Sequence, residues 1–349
     1  LNTFEPAGQD FFQHFPKVEL HRHLEGSLRI STMKEIARVH GVTLPVTKQL
    51  RPLVQIQAHE AMTHTNFLSK FQILRLFYRT PEIIQQITRE AVQDAAEDHI
   101  EYLELRFTPV ALGREQRFDV SNVLDWVCTA ASEASLETGV MTRLIVSVNR
   151  HEPVEIAEKV VDAATAHLKH GVCGLDLAGN EAEFPAEPFI ALFRQARAAG
   201  LSITVHAGEW SGPENVRGAI LDLGADRIGH GVRVMEDENV VALARERGIP
   251  FEVCPTSNFQ SGVVANLANH PLARMLAAGL IVTVNTDDPS ISQITLGSEY
   301  KTVCDVLGLP VSALRDCVLA GARVAFLPAA DRQALLSRLR ARFQQTGIS

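Results

Sequence analysis

The sequence predicts an α/β protein built as a (β/α)8 TIM-type barrel with extra lid helices after strand 1. Three observations point there. Eight strand–helix units can be read along the 349 residues, the pattern of parallel strands joined by crossover helices. Glycine stands before several of the strands, at Gly139, Gly171, Gly200, Gly224, Gly248 and Gly279, where a left-handed cap lets the chain turn back into the sheet. Polar residues gather after strands 1, 4, 5, 6, 7 and 8, and a closed barrel makes those ends converge. A doubly wound open sheet would favour one switch point and, for nucleotides, a Gly-rich turn; no G-x-G-x-x-G is present.

The elements follow in order. Residues 1–16 read as a lead-in whose Phe11, Phe12 and Phe15 pack on the body, and the first strand falls at about 17–24. Ser31 is the expected N-cap of a helix through His40, with Gly41 at its end. Residues 42–64 read as loop and short helical pieces. Phe67, Phe71, Leu74 and Phe77 recur at i, i+4, i+7 and i+10, one face of a helix over 66–78. Pro81 opens the next helix, to about Asp98. Strands then read at 101–107, 143–148, 172–177, 202–206, 227–230, 250–254 and 281–285. Helices read at about 119–138, 154–169, 187–199, 214–222, 237–247, 270–278 and 297–307. The whole chain, 1–349, is expected to form a single domain, with lid helices at about 45–80 and C-terminal helices at about 311–345.

Composition limits the function. Apolar residues make up 46% and charged residues 21% of the chain, as in a globular protein with a sizeable core. A formal net charge of -8 gives no footprint for nucleic acid or an anionic membrane. No apolar run reaches membrane-spanning length and no signal peptide is visible, so the expected location is cytoplasmic. The five cysteines are odd in number, spread out and without a CxxC, which fits a reducing compartment. Cys254 lies beside the candidate site and reads as a buried strand-end thiol.

The chemistry starts at Val18-Glu19-Leu20-His21-Arg22-His23-Leu24-Glu25-Gly26. Period-two alternation puts His21 and His23 on one face of the strand. His206 ends strand 5 and Asp287 ends strand 8, the neighbour of strand 1 once the barrel closes. Three imidazoles and a carboxylate suit a borderline metal, Zn²⁺ first, and an open coordination position would activate water. Glu209, three residues after His206, is placed to carry a proton to the leaving portion of a substrate. His230, ending strand 6, could orient the attacking water. Two adjacent carboxylates rarely face one point, so Asp287 is assigned to metal and Asp288 to substrate.

These stretches, with Asp176-Leu177-Ala178-Gly179-Asn180-Glu181 and Cys254-Pro255-Thr256-Ser257-Asn258, closely resemble the adenosine deaminase family in order and spacing over about residues 17–330. The cytidine-deaminase type of zinc site, H-x-E…P-C-x-x-C, is absent. The resemblance implies a zinc aminohydrolase, one Zn²⁺ per chain, that converts adenosine and 2′-deoxyadenosine to inosine and 2′-deoxyinosine plus ammonia. By position the zinc ligands would be His21, His23, His206 and Asp287. Water held by His230 and Asp287 would attack purine C6. Glu209 would protonate N1, Asp288 would hydrogen-bond N7, and the Gly179 amide would contact N3. Phe67, Leu68 and Phe71 resemble the family's lid over the nucleoside, where excluding water strengthens every polar contact.

Glu25 departs from the pattern. Adenosine-acting members usually carry aspartate there, bonding the ribose 5′-hydroxyl; glutamate resembles members acting on adenine or on 6-aminodeoxyfutalosine. The Phe-Leu-x-Lys-Phe lid favours adenosine. A non-catalytic metal or nucleoside binder is opposed by the presence of Glu209, His230 and Asp288 together. A two-metal amidohydrolase would more often show a bridging lysine after strand 4, where Asp176 to Asn180 stands. The expected partner is a small purine nucleoside, with no nucleic acid and no membrane; the sequence leaves the oligomeric state open.

Overall fold

The structure, a computed structural model, describes residues 9–44, 49–346 and 348. The strand-like runs form β1 (Lys17–His23), β2 (Ile100–Phe107), β3 (Met141–Asn149), β4 (Val172–Ala178), β5 (Ser202–Ala207), β6 (Arg227–His230), β7 (Pro250–Val253) and β8 (Ile281–Val284). Each pairs in parallel with the next, in the order β1 to β8. Closure comes just past β8, where Arg22 and Asp287 form a parallel bridge. The Asp287 N–H donates to the His21 carbonyl at 2.9 Å, and its carbonyl accepts from the His23 N–H at 2.8 Å. The Asn285 side chain extends this seam, its Oδ1 accepting from the Leu20 N–H at 2.9 Å. The sequence-predicted α/β (β/α)8 barrel is therefore the observed fold.

Helices surround the barrel because each carries one apolar stripe. The helix Pro81–Glu97 buries Ile83, Ile84, Ile87, Ala91, Val92 and Ala95, a spacing of three and four residues that faces the strands. Thr80 caps it, accepting from the Ile83 N–H at 3.3 Å, and Pro81 supplies a preset φ at the first helical position. All six interstrand glycines singled out above have positive φ, from 63° at Gly248 to 104° at Gly200.

The barrel interior is charged where aliphatic layers would be the usual filling. Glu104, Arg106, Asp176, Arg227 and Glu252 are at most 1% exposed. Arg106 Nη2 donates to Glu252 Oε2 at 2.6 Å, and Arg227 Nε donates to Glu252 Oε1 at 2.6 Å. Arg227 also pairs with Glu104. Charges so deeply buried persist only when paired throughout, as these are. At the N-terminal end of the strands Phe326 stacks on Arg227, whose guanidinium carbon lies 3.4 Å from the ring centroid. Its backbone N–H donates to Glu104 at 2.6 Å. Phe326 follows the helix Val311–Val324, which packs on β8 and β1; Ala329–Gln345 is the last helix. One end of the barrel is thus plugged, leaving the other for chemistry.

Some local expectations shift. Ser31 lies inside a helix that begins at Ile30, with Arg29 as N-cap and no side-chain cap. Thr32, in the first turn, donates from its hydroxyl to Glu90 at 2.8 Å. The helix in the expected lid region runs His64–Leu74, capped by Thr63 on the Asn66 N–H, and tightens into a 3-10 turn at Arg75–Phe77. Phe12 and Phe15 are buried as expected, while residues 1–8 of the lead-in and 45–48 of the lid region lie outside the described residues. Among the described residues no helix is long and apolar enough to cross a membrane.

Candidate active site

The strand ends converge on a cluster of imidazoles and carboxylates. One atom from each of His21, His206, His230 and Asp287 lies within 4.8 Å of the others. His23 Nε2 sits beside them, 3.3 Å from His206 Nε2 and 3.3 Å from Asp287 Oδ1. All five residues proposed from the sequence for the metal and its water therefore meet at one point. His21 and His23 face inward from β1, with ring centroids 5.2 Å apart. His206 comes from the end of β5. Alternation in β6 turns Arg227 and Gly229 inward, so His230 should point out; its φ of 58° swings the ring back toward the cluster. Asp287 also has a left-handed φ, 65°. Such conformations cost roughly 1–3 kcal/mol each and persist where the surroundings hold them. Gly229 supplies room, since a Cβ there would meet His21 Cε1 at 3.0 Å.

Buried partners orient the cluster. His21 Nδ1 bonds Glu252 Oε2 at 2.8 Å and His206 Nδ1 bonds Asp176 Oδ1 at 3.0 Å. Burial opposes ionisation of both carboxyls, but Arg106 and Arg227 hold Glu252, and His206 and Arg106 hold Asp176, below the usual carboxylate range. With each Nδ1–H so engaged, the Nε2 lone pairs of His21 and His206 point into the cluster, as in metal-ligating histidines. His21 Nε2 is buried without a hydrogen-bond partner. Burial and Arg106 push the His21 pKa down, yet the carboxylates of Asp287 and Glu252 win and raise it. The arrangement calls for positive charge between His21 and Asp287, and a divalent cation fits that demand. Ser257 Oγ donates to Asp287 Oδ2 at 2.6 Å, steadying the carboxylate.

Above the cluster is a cavity of about 410 Å³. Its walls include every residue proposed for substrate: His23, Glu25, Gly179 and Asp288, with Phe67, Leu68 and Phe71 of the helix His64–Leu74. Glu209 also lines it, with Oε2 3.7 Å from His230 Nε2. Burial, and then the charges of Asp287 and Glu181, raise the Glu209 pKa well above its ordinary value. Burial, Asp287, Glu25 and Glu209 do the same to Asp288. Burial thus favours the protonated, hydrogen-bond-donating form of both carboxyls. Asp287, opposed by burial but faced by His230 and His21, stays ionised. Glu25 Oε1 accepts from the Thr108 N–H at 2.7 Å, and burial pushes its carboxyl up to about 7.

The sequence reading passed over several residues on which this geometry depends. Asp176 and Glu252 orient histidines; inward charges at alternate positions of apolar strands were the available signal. Glu181 grips the turn that carries Glu209. Its carboxylate accepts from the N–H groups of Gly208, Glu209, Trp210 and Ser211, at 2.6 to 3.0 Å, and from Asn215 Nδ2 at 3.0 Å. A run of backbone donors converging on one anion fixes a loop firmly.

A parallel (β/α)8 barrel with histidines and a carboxylate at the strand C-termini, beside two further buried carboxyls, defines a metal-dependent hydrolase. The comparisons narrow this class. Residues 16–342 match the family model described as adenosine deaminase. The adenosine deaminase of Serratia proteamaculans is 37% identical over 327 residues, 93% of this chain and 98% of that protein. The chain belongs to the adenosine deaminase family. Among solved structures, an adenine deaminase from Arthrobacter aurescens superposes with a TM-score of 0.86 at 28% identity, covering 94% of this chain and 99% of that one. A zinc-bound amidohydrolase from Burkholderia ambifaria superposes with a TM-score of 0.89 at 26% identity, covering 99% and 95%.

Proposed function

We propose that this chain is a zinc-dependent adenosine deaminase, hydrolysing the C6–amino bond of adenosine and 2′-deoxyadenosine to give inosine or 2′-deoxyinosine and ammonia. The observation that carries the reading is one cavity holding an inward-facing metal-donor cluster and, across from it, two buried carboxyls, Glu209 and Asp288, whose protonated form burial favours. His21, His23, His206 and Asp287 would hold the ion. When bound, zinc supplies Lewis-acid activation of water near neutral pH.

The other steps belong to the chain's own groups. Attack at C6 loads electron density onto the purine ring, and Glu209 donates its proton to N1 as that density builds. A ring nitrogen can only accept, so a protonated Asp288 is the form that bonds N7. The Gly179 N–H meets N3, and its positive φ of 95° lets the loop after β4 bring that amide to the cavity. His230 donates through Nε2 toward the incoming oxygen. As the C6–N bond breaks, one proton of the added water passes to the departing amine to give ammonia, the other restores Glu209, and the C6–O bond remains as the carbonyl. Phe67, Leu68 and Phe71 exclude bulk water from above.

Glu25 is proposed to meet the ribose 5′-hydroxyl, and one observation supports a second reading. Its Oε2 is buried with no partner, and glutamate here would equally serve a substrate lacking ribose, such as adenine. The test is a comparison of kcat/KM for adenosine, 2′-deoxyadenosine and adenine by ultraviolet absorbance. Preference for the nucleosides supports adenosine; preference for adenine moves the substrate and keeps the chemistry; no turnover of any with metal bound overturns the reading.

A further inference from the structure

His230 differs from its neighbours in what stands behind it. His21 and His206 back onto carboxylates, which accept the hydrogen bond from Nδ1–H. His230 Nδ1 faces instead the side-chain amide of Asn258, with Nδ2 at 3.1 Å. Asn258 is fully buried, and its Oδ1 lies 3.2 Å from Nε2 of a second buried histidine, His270. The chain ends on a group whose direction cannot reverse: the Leu272 backbone N–H donates to His270 Nδ1 at 3.1 Å.

The direction of each bond follows from that terminus. A backbone N–H only donates, so His270 Nδ1 is the bare nitrogen and its proton sits on Nε2. His270 Nε2–H donates to Asn258 Oδ1, which sets the amide with Nδ2 toward His230. Asn258 Nδ2–H then donates to His230 Nδ1, and the His230 proton is left on Nε2. There it lies 3.8 Å from Asp287 Oδ2 and 3.7 Å from Glu209 Oε2. Burial pushes His270 down to about 3, and with Nδ1 accepting from the amide the His230 ring keeps a single proton. A neutral imidazole protonated on Nε2 has no lone pair to offer the cluster from that atom.

We propose that His270 and Asn258 are positioning residues that set the His230 tautomer, making it a hydrogen-bond donor at the reacting centre and withholding it from the metal. This explains how four imidazoles crowd one point while one keeps a different task. The inference rests on the deaminase reading only for its kinetic arm; the tautomer can be read without turnover.

The experiment is nitrogen-15 NMR of the histidine side chains, on metal-free and on zinc-loaded protein, with His230 assigned by loss of its signals in His230→Gln. Pyrrole-type Nε2 and pyridine-type Nδ1 at His230 are expected in both. The second arm is Asn258→Asp, which keeps the shape and replaces the amide donor by an acceptor. It should move the His230 proton to Nδ1 and lower kcat roughly 10²–10⁴-fold, the scale of a wrong tautomer in a hydrolase, with KM changed by less than about threefold. His270→Phe frees the amide to flip and should give mixed tautomers. A wild-type His230 protonated on Nδ1 overturns the proposal, as does Asn258→Asp with wild-type kcat. A failure of the deaminase reading would leave the wild-type spectrum as described and remove only the kinetic arm.

Discussion

Replacing Glu209 by glutamine removes one proton and changes little else. The side chain keeps its volume, and the backbone N–H stays on Glu181 Oε1 at 2.6 Å. Side-chain proton transfer in a transition state contributes roughly 10²–10⁴-fold, or about 3–5 kcal/mol of barrier at ~1.36 kcal/mol per decade. Of the two carboxyls raised by burial, Asp288 is proposed for N7 and Glu209 alone for N1, so the upper part of that range is expected in kcat. Metal content should stay at the wild-type level, because Glu209 lies outside the proposed ligand set. Stability gives an independent check. Burial, Asp287 and Glu181 raise the folded-state pKa of Glu209, so the folded protein holds a proton that the unfolded chain releases above pH ~4.3. The folded state binds more protons in that interval, and stability falls as pH rises through it. Glutamine lacks this penalty, so the variant should be at least as stable as wild type at pH 7, with a gap that narrows toward pH 4. The assay combines kcat on adenosine, bound metal by elemental analysis and thermal unfolding at several pH values. A metal-loaded variant within tenfold of wild-type kcat would refute the proton-donor role.

Asp176→Asn removes the charged partner of His206 Nδ1 and should weaken metal binding about 10–100-fold, measured by competition with a chromophoric chelator; unchanged affinity contradicts the orienting role. Gly26→Ala places a Cβ 1.8 Å from Asp288 Oδ1 and 2.5 Å from its Cβ and Cγ. Asp288 must swing away, and losing one hydrogen bond of ~1.5 kcal/mol lowers kcat/KM about tenfold at unchanged metal content; wild-type kinetics would remove Asp288 from substrate binding. Glu252→Gln leaves Arg106 and Arg227 underpaired in the barrel centre, a loss of about 3–5 kcal/mol for a broken buried pair. The urea midpoint should fall accordingly, and an unshifted midpoint would show that Glu104 and Asp176 suffice.

The parts of this molecule legible in its sequence are those governed by short-range periodicity. Alternation put His21 and His23 on one face, glycine caps marked the strand starts, and the position of His206, Asp287 and Glu209 at strand ends followed from the βα repeat. Contacts made across the barrel were less accessible. Glu252 serves His21 from 231 residues away, and nothing local in Pro-Phe-Glu-Val announces that partner. His230 ends β6 as its position in the βα repeat indicates, but it reaches the cluster through a left-handed backbone that alternation opposes and that periodicity does not announce. Asn258 and His270 lie 28 residues and more from His230, in segments that read as loop and helix start. Ser31 shows the opposite failure, a good capping residue by type that lies one residue inside a helix begun at Ile30.

The measurement that bears most directly on the whole account is a zinc titration of chelator-stripped protein, following adenosine turnover by absorbance. The account predicts no turnover without metal, a rise in inosine formation linear in added zinc, and saturation at one ion per chain. Full turnover in the stripped protein, or saturation only at two ions, would contradict a single metal held by His21, His23, His206 and Asp287.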